Sequence, residues 1–269
     1  MRPGEQFELD SLEYLKQNFE KEGIIFVHHN TADSTGSDIE VIINGNSEFF
    51  IEAKDTAAQS GQFVLLHDDA NKTFIFSSRN KSLQNKMTEQ MIAYMNEDYD
   101  RFSSAGTAGE KLCIDSQIFT QWIIRHYRSK NVKYVISKRN HMLICPIEKF
   151  GDYFEVSAKY RIKNSGSSEP AEKYVDAIIS TLKDQFNVTK VYKQTINGKK
   201  KLFAYAPTNL AKSRFKSGNY TYYLAPQTDP GHFEVKKLSN TRNKTVVFSI
   251  KVKQEQQLSD LEAFLKELP

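Results

Sequence analysis

The chain has 269 residues, 37 Lys+Arg against 33 Asp+Glu and two cysteines, enough for one large domain or two small ones with a sizeable core. No apolar run approaches the roughly 18 residues of a membrane span, no charged-then-apolar leader follows Met1, and Cys113 and Cys145 lack metal-type spacing. These features argue against membrane, secreted and zinc-site classes, and the expectation is a cytoplasmic protein with reduced core thiols.

The first predicted element is a helix over Gln6–Glu20, with Phe7, Leu12, Tyr14, Leu15 and Phe19 at helical spacing. Gly23 ends it, Ile24–Val27 reads as a strand, and His28-His29 lead into a polar loop. Adjacent histidines on a strand face opposite sides and make a poor metal pair.

The next stretch, Gly36 to Lys54, reads as two strands joined at Asn44-Gly45, a dipeptide suited to the positive φ angles of a tight hairpin. Alternation along the second strand puts Phe49, Ile51 and Ala53 on an apolar face and Phe50, Glu52 and Lys54 on the other. Folding the hairpin brings Asp38 towards Glu52 and Lys54. Two neighbouring carboxylates repel unless a hard cation sits between them, and Mg²⁺ binds through one or two carboxylates plus waters and phosphate. A lysine beside them can hold or deprotonate an attacking water, so the set suits phosphodiester hydrolysis.

These residues resemble the PD-(D/E)XK superfamily of restriction-endonuclease-like nucleases. Asp38 matches the first acid of the motif and Glu52-Ala53-Lys54 its E-x-K, with 14 residues between the acids and Ser37 where the motif has proline. The resemblance implies a catalytic set of Asp38, Glu52, Lys54 and Gln62, the last as a polar residue past the motif. It implies metal binding at Asp38, Glu52 and Ala53, with Glu8 of the first helix as a candidate third acid; a first-turn Glu that favours the helix dipole is the alternative for Glu8. It also implies Mg²⁺-dependent cleavage leaving 5′-phosphate and 3′-hydroxyl ends. An E-x-K triplet occurs roughly once in a couple of hundred residues by composition alone, and Glu234-Val235-Lys236 is a second one. Only five residues separate Asp229 from Glu234, too few for two paired strands.

Beyond Lys54 the sequence predicts a turn at Ser60-Gly61, a hairpin over Phe63–Leu66 and Thr73–Phe76, and a helix over Lys81–Glu97 carrying Gln90 and Tyr94 at Q-x-x-x-Y spacing. A flexible loop at Ser103–Gly109 precedes a helix over Ile114–Arg128, in which Trp122 reads as core and Arg125 and Arg128 are free to meet phosphate. A second hairpin, Tyr134–Ile136 with Met142–Ile144, completes a central mixed sheet flanked by helices.

The composition changes past Gly151. Residues 1–150 carry a net charge of −4, residues 151–253 carry +11 and the remainder −3. A strand over Asp152–Lys163, a helix over Glu169–Phe186 opened by Pro170, and strands over Val188–Tyr192, Lys201–Tyr205, Tyr220–Leu224, Phe233–Leu238 and Thr245–Val252 follow. The last two flank Ser239–Lys244 as a turn tip, and Arg and Asn are the side chains suited to guanine and adenine edges. Arg214, Lys216, Asn240, Arg242, Asn243 and Lys244 are therefore the candidate DNA-binding residues, a solvated tip and basic outer face being the plain alternative. Leu258–Leu268 closes the chain as an amphipathic helix.

The expectation is thus an α/β (α+β) restriction-endonuclease-like core, residues 1–150, followed by a β-rich basic DNA-recognition region, residues 151–269, with one continuous domain formed by the two as the alternative. A type II restriction enzyme acting on double-stranded DNA, working as a homodimer on a palindromic site, fits best. A repair, modification-dependent or structure-selective nuclease would share the same three residues, and a DNA-binding module without catalysis would not need them.

Overall fold

The computed structural model describes residues 3–29, 37–82, 84–164, 166–196, 198–239 and 241–268. In chain order the first elements are helix α1 (Pro3–Phe19), strands β1 (Ile24–His28), β2 (Ile39–Ile43), β3 (Asn46–Ala53), β4 (Ala57–Asp68) and β5 (Thr73–Phe76), and helices α2 (Lys86–Glu97) and α3 (Tyr99–Ser103). Strand β6 (Glu110–Lys111), helix α4 (Ser116–Arg128), strands β7 (Val132–Lys138) and β8 (Met142–Pro146), helix α5 (Phe150–Tyr153) and strand β9 (Phe154–Asn164) follow. Then come β10 (Ser167–Ser168), α6 (Val175–Phe186), β11 (Lys190–Ile196), β12 (Lys199–Tyr205), β13 (Arg214–Ser217), β14 (Tyr220–Pro226), β15 (His232–Leu238), β16 (Arg242–Val252) and α7 (Leu258–Lys266).

The chain divides into two units, residues 1–162 with 244–269, and residues 163–243. In the first, a sheet of order β1-β2-β3-β7-β8 is antiparallel except for the parallel pair β3–β7. Asn44 and Gly45 take φ of 50° and 83°, the left-handed pair that a two-residue hairpin turn requires. One face of this sheet, with Phe49, Ile51, Tyr134 and Ile136, packs with Leu15 of α1 and Phe264 of α7. The other face meets α4 and a second sheet of order β5-β4-β16-β9-β6 in a larger cluster built round Phe63, Trp122, Val135 and Phe248. A strand covered on both faces is apolar on both, and within the covered part of β3, Phe49–Ala53, the departure is Glu52.

Strands β9 and β16 were expected in the recognition half, yet they complete the second sheet of the core, so the boundary is not at 150. Thr245, Val246, Val247 and Phe248 are all buried in succession, which calls for an interior strand. Sequence alternation identifies a strand without naming its partner: β16 pairs with β4, Thr245 opposite Val64, and not with β15. Strands β15 and β16 therefore are not the two arms of a hairpin, and of the tip expected over Ser239–Lys244, Asn240 lies outside the described residues. Strand β4 begins at Ala57, so the turn expected at Ser60-Gly61 is strand too. The helices expected from Lys81 and from Glu169 start later, at Lys86 behind its Asn85 cap and at Val175.

In the second unit α6 covers one face of a sheet of order β11-β12-β15-β14-β13, burying Ile178 and Leu182 against Leu202, Tyr222, Leu224 and Val235. The unit carries 14 Lys+Arg against 6 Asp+Glu. The fold is a mixed α+β architecture, as expected.

Candidate active site

Three side chains converge where β2 begins and β3 ends. Asp38 Oδ2 accepts the Ala53 backbone N–H at 2.9 Å, which ties the head of β2 to the tail of β3. Lys54 Nζ lies 2.6 Å from Glu52 Oε1 and 3.5 Å from Asp38 Oδ2, and donates to the Ala53 carbonyl at 3.2 Å. The Lys54 N–H bonds to the Ile136 carbonyl at 3.0 Å, so the residue after β3 is still held by β7. Rigid backbone thus fixes all three.

The face that bears the charges is not open to solvent: Glu52 is only 6% exposed. Its Oε2 is buried without a hydrogen-bond partner, a state that costs on the order of 1–3 kcal/mol when nothing compensates. Burial first, and Glu52 second, push Asp38 up to about 6, against the opposing pull of Lys54 and the Ala53 N–H. For Lys54 burial is the largest influence and acts downward, yet Glu52, Tyr127 and Asp38 together hold the ammonium well above the usual range. The lysine stays charged while the acids compete for negative charge.

The surroundings of these three include residues that no sequence pattern singles out. Tyr127 of α4 is buried and its hydroxyl meets Ser60 Oγ of β4 at 2.8 Å; burial first, then Glu52, raises its phenol. His126, next to it, stacks on Trp122 with centroids 5.0 Å apart, and burial, aided by Lys130, lowers it to about 4. Gly61 has φ +120° and lies so close to Trp122 that an added Cβ would sit 2.8 Å from the indole. Nothing in the sequence marks Tyr127 or Ser60 as site residues, because their role depends on which strand meets which helix.

Other expected site residues lie elsewhere. Gln62 is exposed and accepts a hydrogen bond from Gln59 at 3.3 Å, and Gln59 in turn takes one from Arg161. Among the described residues no contact links Gln62 to the acid pair. The physical reason is a register shift between Val247 and Ser249 opposite Gln59–Gln62, which leaves Ser60 facing inward and Gln62 outward. Glu8 is near enough to raise Asp38 slightly, but its carboxylate sits 3.2 Å from His28 Nε2, and among the described residues no three His, Cys, Asp or Glu side chains converge as a metal cluster. His28 belongs to β1, not to a loop. Tyr94 of the Q-x-x-x-Y spacing accepts the Cys113 N–H at 3.3 Å, and Cys113 is exposed, not core.

The second E-x-K lies on β15. Glu234 is ion-paired with Lys201 and Lys236, at 3.2 and 2.8 Å, and Lys236 with Glu169 at 2.8 Å. Glu169, just past β10, is thus the acid that shares the Lys236 ammonium with Glu234, and two ammonium groups surround the latter. Arg214 and Lys216 of β13 are exposed, alternating with buried Phe215 and Ser217. Arg242 and Asn243 are exposed at the start of β16, Lys244 is half-buried beside them, and Asn240 lies outside the described residues. Arg125 is exposed, whereas Arg128 is paired with Glu148 at 2.9 Å.

Among the described residues no helix is long and apolar enough to cross a membrane. No family model matches the chain, and no curated protein matches it. Among solved structures it is similar to HhaI endonuclease, determined in complex with DNA, at 30% identity and a TM-score of 0.81 over 98% of each chain.

Proposed function

Because the chain belongs to the HhaI endonuclease family, we propose that it is a sequence-specific endonuclease of the type II restriction class, hydrolysing phosphodiester bonds of double-stranded DNA through a PD-(D/E)XK site. The observation that carries this is the convergence of Asp38, Glu52 and Lys54 on one short stretch of hydrogen-bonded backbone.

The donor set fits Mg²⁺: the carboxylates of Asp38 and Glu52 and the Ala53 carbonyl are hard oxygen ligands, and Glu52 Oε2 is buried without a hydrogen-bond partner. When bound, such a cation polarises the phosphoryl oxygen and neutralises the charge that develops there. Lys54, charged and 16% exposed, orients the attacking water and steadies negative charge on the reacting oxygens. The Ala53 N–H fixes the Asp38 carboxylate, and the buried Tyr127 hydroxyl, bonded to Ser60, lies within electrostatic reach of Glu52. Exposed Arg214 and Lys216, on a unit with excess positive charge, supply contacts to the phosphate backbone. A homodimer matched to a palindromic site and a cytoplasmic location belong to the same reading.

Digestion of a long, sequenced, unmodified DNA with and without Mg²⁺, beside Asp38→Ala and Glu52→Ala, tests it. Discrete fragments that vanish in both variants are expected, and their ends give the site. A Mg²⁺-dependent smear would replace sequence specificity with structure-selective cleavage. Equal cutting by the wild type and both variants would sink the proposed site.

A further inference from the structure

Strand β7 runs parallel to β3, and their register sets Glu52 opposite Val135 and Ala53 opposite Ile136. The Lys54 N–H bonds to the Ile136 carbonyl at 3.0 Å, which carries the ladder one residue further and puts Lys54 beside Ser137. Side chains alternate along a strand. Ala53 and Ile136 belong to the cluster that holds Leu15 of α1 and Phe264 of α7, whereas Val135 and Leu143, the β8 partner of Ser137, belong to the one that holds Tyr127 of α4. Ser137 therefore shares a face of the sheet with Glu52 and Lys54. It approaches them from β7, across β3 from the strand that Asp38 leads.

Ser137 is 0% exposed, and among the described residues its Oγ has no hydrogen-bond partner. Glu52 Oε2 is in the same state. A hydroxyl carries one donor and two acceptor lone pairs, while an ionised carboxylate oxygen only accepts. The two atoms are complementary, and polar atoms left idle inside a protein are rare. Lys54 is the nearer neighbour by register, but its ammonium is engaged: Glu52 Oε1, the Ala53 carbonyl and Asp38 Oδ2 lie 2.6, 3.2 and 3.5 Å from Nζ. Three partners take its three N–H groups. Of the side chains on β3, the one left with an unpaired buried oxygen is Glu52.

We propose that Ser137 is a positioning residue for the nuclease site: its hydroxyl donates, through one bridging water, to Glu52 Oε2 and fixes the plane of that carboxylate from the β7 side. A buried water needs two or more polar partners, which these oxygens supply. Asp38 is fixed from the other side by the Ala53 N–H at 2.9 Å, so each acid has its own anchor. Removing such a partner behind a metal-binding carboxylate changes metal affinity by about 10–100-fold. The positioning role rests on the nuclease reading above; the link between the two side chains does not.

The test joins a stability cycle to cleavage. Urea denaturation of the metal-free full chain compares wild type, Ser137→Ala, Glu52→Ala and the double variant. Single-turnover cleavage of duplex DNA over a range of Mg²⁺, with DNA binding in chelator, compares wild type, Ser137→Ala and Ser137→Thr. Ser137→Ala is expected to lower the folding equilibrium constant about tenfold when Glu52 is present and by much less when it is gone, as loss of a hydrogen bond to a charged group should. Half-maximal cleavage by Ser137→Ala should need about ten times more Mg²⁺, with DNA affinity unchanged. Ser137→Thr, which keeps the hydroxyl on a residue suited to strands, should recover the wild-type requirement. If threonine does not fit, the cycle and the Mg²⁺ requirement of Ser137→Ala decide alone. A Ser137→Ala protein at least as stable as wild type, or one that loses the same stability in both Glu52 backgrounds, would overturn the link. Coupling with an unchanged Mg²⁺ requirement would overturn the positioning role and leave a structural contact. A wild type that does not cut DNA would remove the nuclease reading and the role with it, while the cycle still decides the link.

Discussion

The Lys54 ammonium stands 2.6 Å from Glu52 Oε1, while the other oxygen of that carboxylate has no hydrogen bond at all. One oxygen of Glu52 is thus neutralised by the chain itself and the other is left for a ligand. Removing the ammonium by Lys54→Ala should slow DNA cleavage by about 10²–10⁴-fold, the usual range for a proton-handling group, with DNA affinity in chelator nearly unchanged. Single-turnover cleavage beside filter binding measures both, and a loss confined to binding would refute the assigned role.

Asp38 gives a pH signature. Its folded-state value of about 6 exceeds the ordinary 3.8 through burial first and Glu52 second, so the folded protein holds a proton that the unfolded chain has released. The stability tied to that proton is complete below about pH 4 and is lost as pH rises through about 6; the shift of roughly two units amounts to about 3 kcal/mol. Urea denaturation of metal-free protein should show this fall across pH 4 to 7, and Asp38→Asn should flatten it. Cleavage, which needs the carboxylate ionised, should instead climb through the same range. Parallel stability curves for wild type and Asp38→Asn would contradict the account.

Tyr127→Phe deletes one hydroxyl and leaves Ser60 Oγ buried beside a ring. A destabilisation of about 1–2 kcal/mol follows from the missing hydrogen bond and the stranded partner, with cleavage reduced less than tenfold because the hydroxyl bonds to Ser60 and, among the described residues, not to Lys54. Thermal melts and initial rates check the split; a rate loss near that of Lys54→Ala would mean that the hydroxyl takes part in the reaction.

Gly61→Ala should cost about 2 kcal/mol or more. A Cβ there meets Trp122 at 2.8 Å, and φ is +120°, where L side chains are strained. Near-ultraviolet circular dichroism should change as well, since Trp122 is the sole indole. A variant as stable as wild type would show that β4 can relax without it.

Arg214→Ala with Lys216→Ala should weaken DNA binding about equally across sequences and lower the salt slope by about 0.9 for each phosphate left unneutralised. A change in which sequences are cut, at constant slope, would mean that these side chains read bases.

Much of the candidate site is legible before folding because its information is local. Asn44-Gly45 fixes a turn, alternation fixes faces, and fourteen residues set Asp38 opposite the end of β3; the 2.9 Å Asp38–Ala53 bond closes that arrangement. What escapes is non-local. Ser60-Gly61 reads as a turn because it is small and polar, yet it lies within β4, which pairs with β16 from the far end of the chain. The bulge there reverses the alternation, so Gln62, which the motif singles out, faces outward and Ser60, which it does not, faces in. Glu8 sits on the expected helix, but a histidine on β1 engages its carboxylate. Charge division locates the basic region roughly; its limits depend on strand partners that no local pattern names.

The 81 residues of the second unit depart from β9 and rejoin at β16, two neighbouring strands of one core sheet. Seen from that sheet, the whole basic unit occupies the position of a loop, and loop closure grows only slowly with length. Its surface can therefore drift, lengthen or be exchanged for another without disturbing the strand order that places Asp38, Glu52 and Lys54. On the nuclease reading proposed above, such an attachment would let the choice of target evolve separately from the act of cutting, as a cassette held between two fixed joints.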